Sequence, residues 1–388
     1  MAVYLDNSAT TRVCEEALET YIAVSRGEFG NPSSRHLLGK AAEDLLLDAR
    51  ATINRSLGSK DGTVIFTAGG TEANNLAIFG RAYAKPRYRK GGKILTTLGE
   101  HSSVTQPLTA LANEGFRVVA IPTKGGKLDL EALEREMTPD VILVTMMLVN
   151  NETGAVYDLA YVSRLMRAYA PDAILHVDAT QAYLKIPFTV KSLDADLVTI
   201  SSHKVEGPKG VGALWVSPAV VKNRGLVPRE LGGGQEHGYR SGTENVPGIA
   251  AFGAAIRKEM ADRETRMALA TRLSQKLIDQ IANRESLHEV RVNLPARRAP
   301  HIVSITLPKI KSETMLHFLS ARGIYVSSGS ACSSHDTHTS PAIVAFGLTE
   351  AEADTTIRVS LGAHNTEADI DALLEGLEAG VRDLIRIR

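Results

Sequence analysis

Between Thr63 and Val216, short apolar runs alternate with longer stretches whose apolar positions recur every three or four residues. The runs Thr63–Thr67, Lys93–Thr97, Phe116–Ile121, Val141–Leu148, Ile174–Val177, Leu197–Ile200 and Val211–Val216 read as strands. Several are apolar at successive rather than alternate positions, the pattern of strands covered on both faces. The intervening segments Glu72–Ala84, Ser103–Asn113, Leu130–Met137 and Leu159–Tyr169 carry a helical period. This alternation predicts an α/β fold built on a large, mostly parallel sheet with helices on both sides.

The rhythm changes after Val246. A long helical pattern from Ile249 to about Ala282 leads into a strand at Ile302–Leu307 and a helix at Glu313–Ala321. Strands at Ile324–Ser327 and Ile357–Leu361 and a last helix at Glu367–Ile385 follow. A smaller α+β unit is expected there, joined by the N-terminal arm. The expected division is a large domain of residues 15–258 and a small domain of residues 1–14 and 259–388. The basic stretch Lys85–Gly92 reads as a solvated connection, and no internal repeat is visible.

Composition narrows the picture only a little. The chain of 388 residues is 44% hydrophobic and 23% charged with zero formal net charge, ordinary for a soluble globular protein. That balance argues against nucleic acid or an anionic membrane as the main partner. No basic patch followed by an apolar run opens the chain, and no apolar run approaches the ~20 residues that span a bilayer. Two cysteines, Cys14 and Cys332, make no disulfide framework. A cytoplasmic, soluble protein is expected.

Chemistry concentrates where strands end, the place where open α/β sheets bind ligands. Thr67–Asn75 runs from a strand through two glycines into a helix, which offers free N–H groups and the Thr71 hydroxyl to an anion. A simple threonine cap after a glycine turn explains the same residues. Asp178 ends a buried strand, where a bare carboxylate is costly without a cationic partner such as a protonated pyridine nitrogen. A bond to a helix N-terminus would also satisfy it. Lys204 follows a strand and precedes a Gly/Pro-rich loop, so its amine would enter the same crevice, with Ser201 and His203 beside it. Taken alone, it reads as an exposed loop lysine. Cys332 lies in a small, polar, flexible stretch that would not bury it, so a mobile nucleophile is the alternative to a structural thiol. Cys332, His335 and His338 have spacings compatible with a metal, but a solvated polar loop accounts for them and no metal site is expected. Cys14 reads as a small buried residue.

These segments, in this order, resemble the cysteine desulfurases of the class V aminotransferase family, in the branch with a long cysteine loop. The likeness runs from Asp6–Thr11 and Gly30–His36 through Thr71–Asn75, Glu100-His101, Val149–Gly154, His176–Gln181 and Ser201–Lys204. It continues through Gly232–Gln235, Arg240–Thr243 and Ser327–Cys332 to Arg358–Gly362. The resemblance implies a fold-type-I homodimer that uses pyridoxal 5'-phosphate (PLP). Lys204 would carry the cofactor in a Schiff base and shuttle protons. Asp178 would keep the pyridine nitrogen protonated, and His101 would stack on the ring and assist proton transfer. Gln181 and Asn151 would bond the ring oxygen, Asn151 also orienting substrate. Gly70, Thr71, Ser201 and His203 would hold the phosphate, completed by Thr243 from the other subunit.

Arg358 would take the carboxylate of L-cysteine, and Asn31 and His36 would line the same mouth. Cys332 would attack the substrate sulfur, becoming a persulfide while alanine leaves. A sulfur-acceptor protein, for iron–sulfur cluster assembly or tRNA thiolation, would then receive the sulfur. Glycine stands at position 70 where the family often has alanine. Gln235 and His237 replace the common His and Arg, and His335–His338 replaces a more apolar loop. An aminotransferase, a β-lyase or a selenocysteine lyase would share the cofactor, but an aminotransferase has no need for Cys332. A scaffold that kept only the fold would be expected to have lost Lys204, Asp178, His101 or Arg358.

Overall fold

The computed structural model describes residues 2–328 and 340–386. Its strands in chain order are β1 (Val3–Tyr4), β2 (Thr63–Thr67), β3 (Lys93–Thr97), β4 (Arg117–Ile121), β5 (Thr123–Lys124), β6 (Lys127–Leu128), β7 (Val141–Met147) and β8 (Ile174–Asp178). They continue as β9 (Leu197–Ser201), β10 (Gly212–Val216), β11 (Arg291–Asn293), β12 (Ile302–Thr306), β13 (Ile324–Tyr325), β14 (Ser327–Ser328) and β15 (Thr356–Ser360). Seven of them form the main sheet in the order β2-β10-β9-β8-β7-β3-β4. Neighbours from β9 to β4 pair in parallel, and β10 runs antiparallel to both β9 and β2.

The apolar runs are continuous because both faces of this sheet are covered. On β2, Val64 and Phe66 join one apolar cluster with Leu46, Ile53 and Phe252, while Ile65 joins another with Leu76, Val104 and Leu108. Successive residues point to opposite faces, so each face takes alternate members of the run.

Four helices lead the chain toward the site. They are α1 (Glu15–Gly27), α2 (Leu37–Ser56), α3 (Gly70–Ala82) and α4 (Ser102–Asn113). The helical period predicts α3 and α4 but not α1 and α2, whose exposed faces carry Leu18, Tyr21, Ile22, Leu37, Leu38 and Leu47. Cys14 caps α1 and is buried against Ala17, Ala251 and Ala255, as its isolation in the sequence suggests.

The C-terminal part forms an antiparallel sheet of order β11-β12-β15-β14 around its own core, which includes Leu273, Leu277, Val303, Ile357 and Leu373. Leu5 of the arm is fully buried in that core, and β1 pairs with β13. The expected strand Ile324–Ser327 is two separate pieces, one pairing with the arm and one with β15. The long helix Val246–Asn283 serves both cores, with Ile249 and Phe252 in the large one and Leu273 and Leu277 in the small one. We propose the two-domain division given above, with this unbroken helix passing from one to the other. The basic stretch Lys85–Gly92 is more than a solvated connection, since Tyr88 is buried there with Arg81, Lys85 and Arg87 over its ring.

Candidate active site

The carboxyl ends of the parallel strands converge on a cavity of ≈ 440 Å³. Its wall contains Gly70, Thr71, His101, Asn151, Asp178, Gln181, Ser201, His203, Lys204 and Arg358, ten of the positions singled out in the sequence. Each arrives for a local reason. Gly70 and Thr71 open α3 directly after β2, so their N–H groups lack helical partners. A Cβ on Gly70 would lie 3.3 Å from Thr180 Oγ1 and 3.5 Å from Ser201 Cβ, so glycine keeps this corner open. Asp178 ends β8, Ser201 ends β9, and Lys204 closes the short turn that follows.

Lys204 Nζ donates to the carbonyls of Ser8 and Ala9 in the N-terminal arm, both at 2.7 Å. Asp178 is 6% exposed, and its oxygens accept from Asn74 Nδ2 at 2.8 Å and Thr180 N at 2.9 Å. His101 caps α4, with Nδ1 accepting from Ser103 N at 3.1 Å. Burial holds its pKa below the usual histidine value; the Asp178 carboxylate pulls it upward and Lys204 adds to the depression. His203 is pushed down to about 4, by burial first and then by Lys204, Lys209 and Lys185. Both imidazoles are therefore neutral at pH 7.

Arg358 projects from β15. Its Nη2 pairs with Asp6 at 2.8 Å and its Nη1 donates to the Asn151 carbonyl at 2.9 Å. Its buried Nε has no partner among the described residues, and the same holds for Ser8 Oγ and Asn74 Oδ1. All three residues line the cavity. Unsatisfied buried polar atoms are uncommon, and several around one cavity of ligand size suit a polar occupant.

Three residues named above stand elsewhere in the chain, Thr243 among them having been expected at the site of a second copy. Thr243 lines a separate pocket with Glu236 and Arg240. Asn31 and His36, expected at the mouth, do not line the cavity: Asn31 Oδ1 accepts from Ser33 N at 2.9 Å and His36 Nδ1 from Gly39 N at 3.2 Å. A local turn engages the Asn31 side chain, and the cap of α2 engages that of His36. Cys332, His335, Asp336 and His338 lie outside the described residues.

The cavity also draws in residues with no role assigned from the sequence, three inside the motifs and Ser103 outside them. Asp6 and Ser8 come from the arm, Asn74 from the second turn of α3, and Ser103 from α4. Half-buried Lys185, pushed down to about 7 by desolvation and then by Lys204, sits behind Gln181 and donates to its Oε1 at 3.4 Å. Polar residues inside otherwise apolar elements were the available signal.

The aminotransferase class-V family matches residues 3–373 of the chain. The chain belongs to this family. Within it, the cysteine desulfurase IscS 1 of Archaeoglobus fulgidus is 39% identical over 386 residues, covering 98% of this chain and 97% of its own. A solved NifS-like protein superposes with a TM-score of 0.90 at 33% identity, over 99% of this chain and 100% of the other. A solved structure of SspA in complex with cysteine gives a TM-score of 0.76 at 30% identity, over 94% of this chain and 99% of the other. Among the described residues, no helix is long and apolar enough to cross a membrane.

Proposed function

We propose that the protein is a cysteine desulfurase: it binds pyridoxal 5'-phosphate, converts L-cysteine to L-alanine, and takes the sulfur onto Cys332 as a persulfide. One observation carries the reading. An open helix N-terminus, a buried carboxylate and a lysine face one cavity, in a chain whose matched relatives are named for this activity.

The residues present fit the cofactor. Gly70 and Thr71 at the start of α3, with Ser201 and His203, would hold the phosphate. Asp178 would face the pyridine nitrogen, since neutral donors hold it and its charge is left for a cation. His101 would lie over the ring, and Gln181 and Asn151 would bond the ring oxygen. Lys204 would form the Schiff base. Thr243, in a pocket of its own here, would complete the phosphate site of a second copy in a homodimer. When bound, the cofactor supplies an electron sink next to the substrate α-carbon.

The chain's own residues do the rest. Arg358, whose planar guanidinium lines the cavity, would take the substrate carboxylate. The Lys204 amine takes the α-proton. The Cys332 thiolate attacks the substrate sulfur; the S–S bond forms, the C–S bond breaks, and its electron pair stays with the carbon skeleton, which gains protons and leaves as alanine. Cys332 is four residues beyond Ser328, which lines the cavity, and four extended residues span at most about 14 Å. From Cys332 the sulfur would pass to an acceptor protein of iron–sulfur assembly or tRNA thiolation. Purified protein mixed with pyridoxal phosphate should gain a visible absorbance band that Lys204→Ala lacks, and should release alanine from L-cysteine. A colourless protein that releases no alanine contradicts the proposal.

A further inference from the structure

A line of buried polar groups connects two helices beside the cavity. Asn74, 1% exposed on α3, donates from Nδ2 to Asp178 Oδ2 at 2.8 Å and to Ser103 Oγ at 2.9 Å. Ser103, on α4, has its Oγ 2.8 Å from His101 Nδ1, and its own backbone N–H donates to the same nitrogen at 3.1 Å. The directions of these bonds follow from chemistry alone. Reversing the Asn74 amide would set its oxygen against the Asp178 carboxylate, so Nδ2 faces Asp178 and spends both hydrogens. A backbone N–H can donate but not accept, so Nδ1 of His101 presents a lone pair. The Ser103 hydroxyl already accepts from Asn74, and its hydrogen is free to point at that lone pair too.

We propose that Asn74 and Ser103 are positioning residues that lock His101 as the neutral Nε2–H tautomer, making it a hydrogen-bond donor toward the substrate rather than a base. This rests on the desulfurase reading and sharpens it. With the Nδ1 lone pair held by Ser103 and a hydrogen on Nε2, His101 has no basic nitrogen facing the cavity. Removal of the α-proton then falls to Lys204. A neutral imidazole polarises a developing charge through its N–H, as in enzymes that hold histidine uncharged for this purpose. Protonating Nδ1 would set two N–H groups, its own and that of Ser103, against each other. The arrangement thus opposes the imidazolium, in the same direction as burial and Lys204; Asp178 is the charge that favours it. Asn74 also steadies Asp178, so one amide coordinates the group facing the ring nitrogen with the group over the ring.

The test is side-chain ¹⁵N NMR of histidine-labelled holoenzyme, with His101→Asn used to assign the signal. In the wild type, the expected pattern is an unprotonated Nδ1 and a protonated Nε2 across neutral pH. Ser103→Ala should lower the Nε2–H to Nδ1–H ratio roughly fivefold, the weight of one ordinary hydrogen bond. It should also lower kcat several-fold with little change in KM for cysteine, and Ser103→Thr should restore both. Asn74→Leu should shift the ratio the same way; if it does not fold, the wild-type and Ser103 measurements stand by themselves. An active wild type with Nδ1–H or charged His101, or a Ser103→Ala variant with an unmoved ratio, overturns the inference. A wild type that forms no alanine overturns the desulfurase reading instead, so the two failures are distinguishable.

Discussion

At the residue scale, the cavity is controlled by how individual charges are paired. Arg358 is held from two sides by Asp6 and the Asn151 carbonyl, while its Nε has no partner among the described residues. Arg358→Lys keeps the charge but loses the planar fork. KM for L-cysteine should rise about 10- to 100-fold, as expected for one or two charge-assisted bonds, with a smaller change in kcat. Steady-state kinetics with an unchanged KM would remove Arg358 from substrate recognition. Glu100, beside His101, gives a pH prediction. Burial raises its carboxyl from 4.5 to about 8, against the bonds it accepts from Thr97 and Met147 N, with Asp178 adding to the rise. The folded protein therefore keeps a proton that the unfolded chain releases near pH 4.5. Stability from this group is fully present below about 4.5 and is lost as pH rises through about 8. Melting curves between pH 5 and 8 should fall less steeply for Glu100→Gln than for the wild type; parallel curves would show that Glu100 stays ionised in the folded state.

At the element scale, the site depends on how closely the turn between β2 and α3 lies on β10. A Cβ on Gly212 would come within 2.6 Å of the Gly69 carbonyl carbon and 2.7 Å of its Cα, so only glycine permits this approach. Gly212→Ala should displace the turn that opens α3, at a cost of about 1–3 kcal/mol. Titration should then show weaker pyridoxal phosphate binding together with a lower Tm. Retained affinity with a lowered Tm would detach the turn from the cofactor. Much of this scaffold is legible in the sequence: strands β2, β4 and β10 carry unbroken apolar runs, and α4 a clean helical period. The arm was harder to read. Asp6, Ser8 and Ala9 reach the site through backbone carbonyls and one ion pair, which no local period encodes. Asn74 and Ser103 were hidden for a related reason, since each looks like an ordinary helix residue until the two helices pack. Asn31 and His36 carry the opposite ambiguity, because a polar motif before α2 also serves a local turn at Asn31 and the helix cap at His36.

At the scale of the whole molecule, the proposed active site is shared between two copies. Thr243 lies in its own pocket, away from the cavity of its own chain, so its proposed place on the phosphate requires a partner. Lys204→Ala and Thr243→Ala, each impaired alone, should regain part of the wild-type activity when refolded together, because a mixed dimer contains one site with both residues intact. Mixtures no more active than the separate variants would confine the site to one chain. The central claim is that Cys332 turns a pyridoxal-phosphate site into a desulfurase. It is tested most directly by incubating cofactor-loaded wild type and Cys332→Ala with L-cysteine and measuring alanine and protein-bound persulfide together. The account predicts both products from the wild type and neither from the variant, with the variant's visible absorbance still responding to cysteine. Undiminished alanine from Cys332→Ala would contradict it.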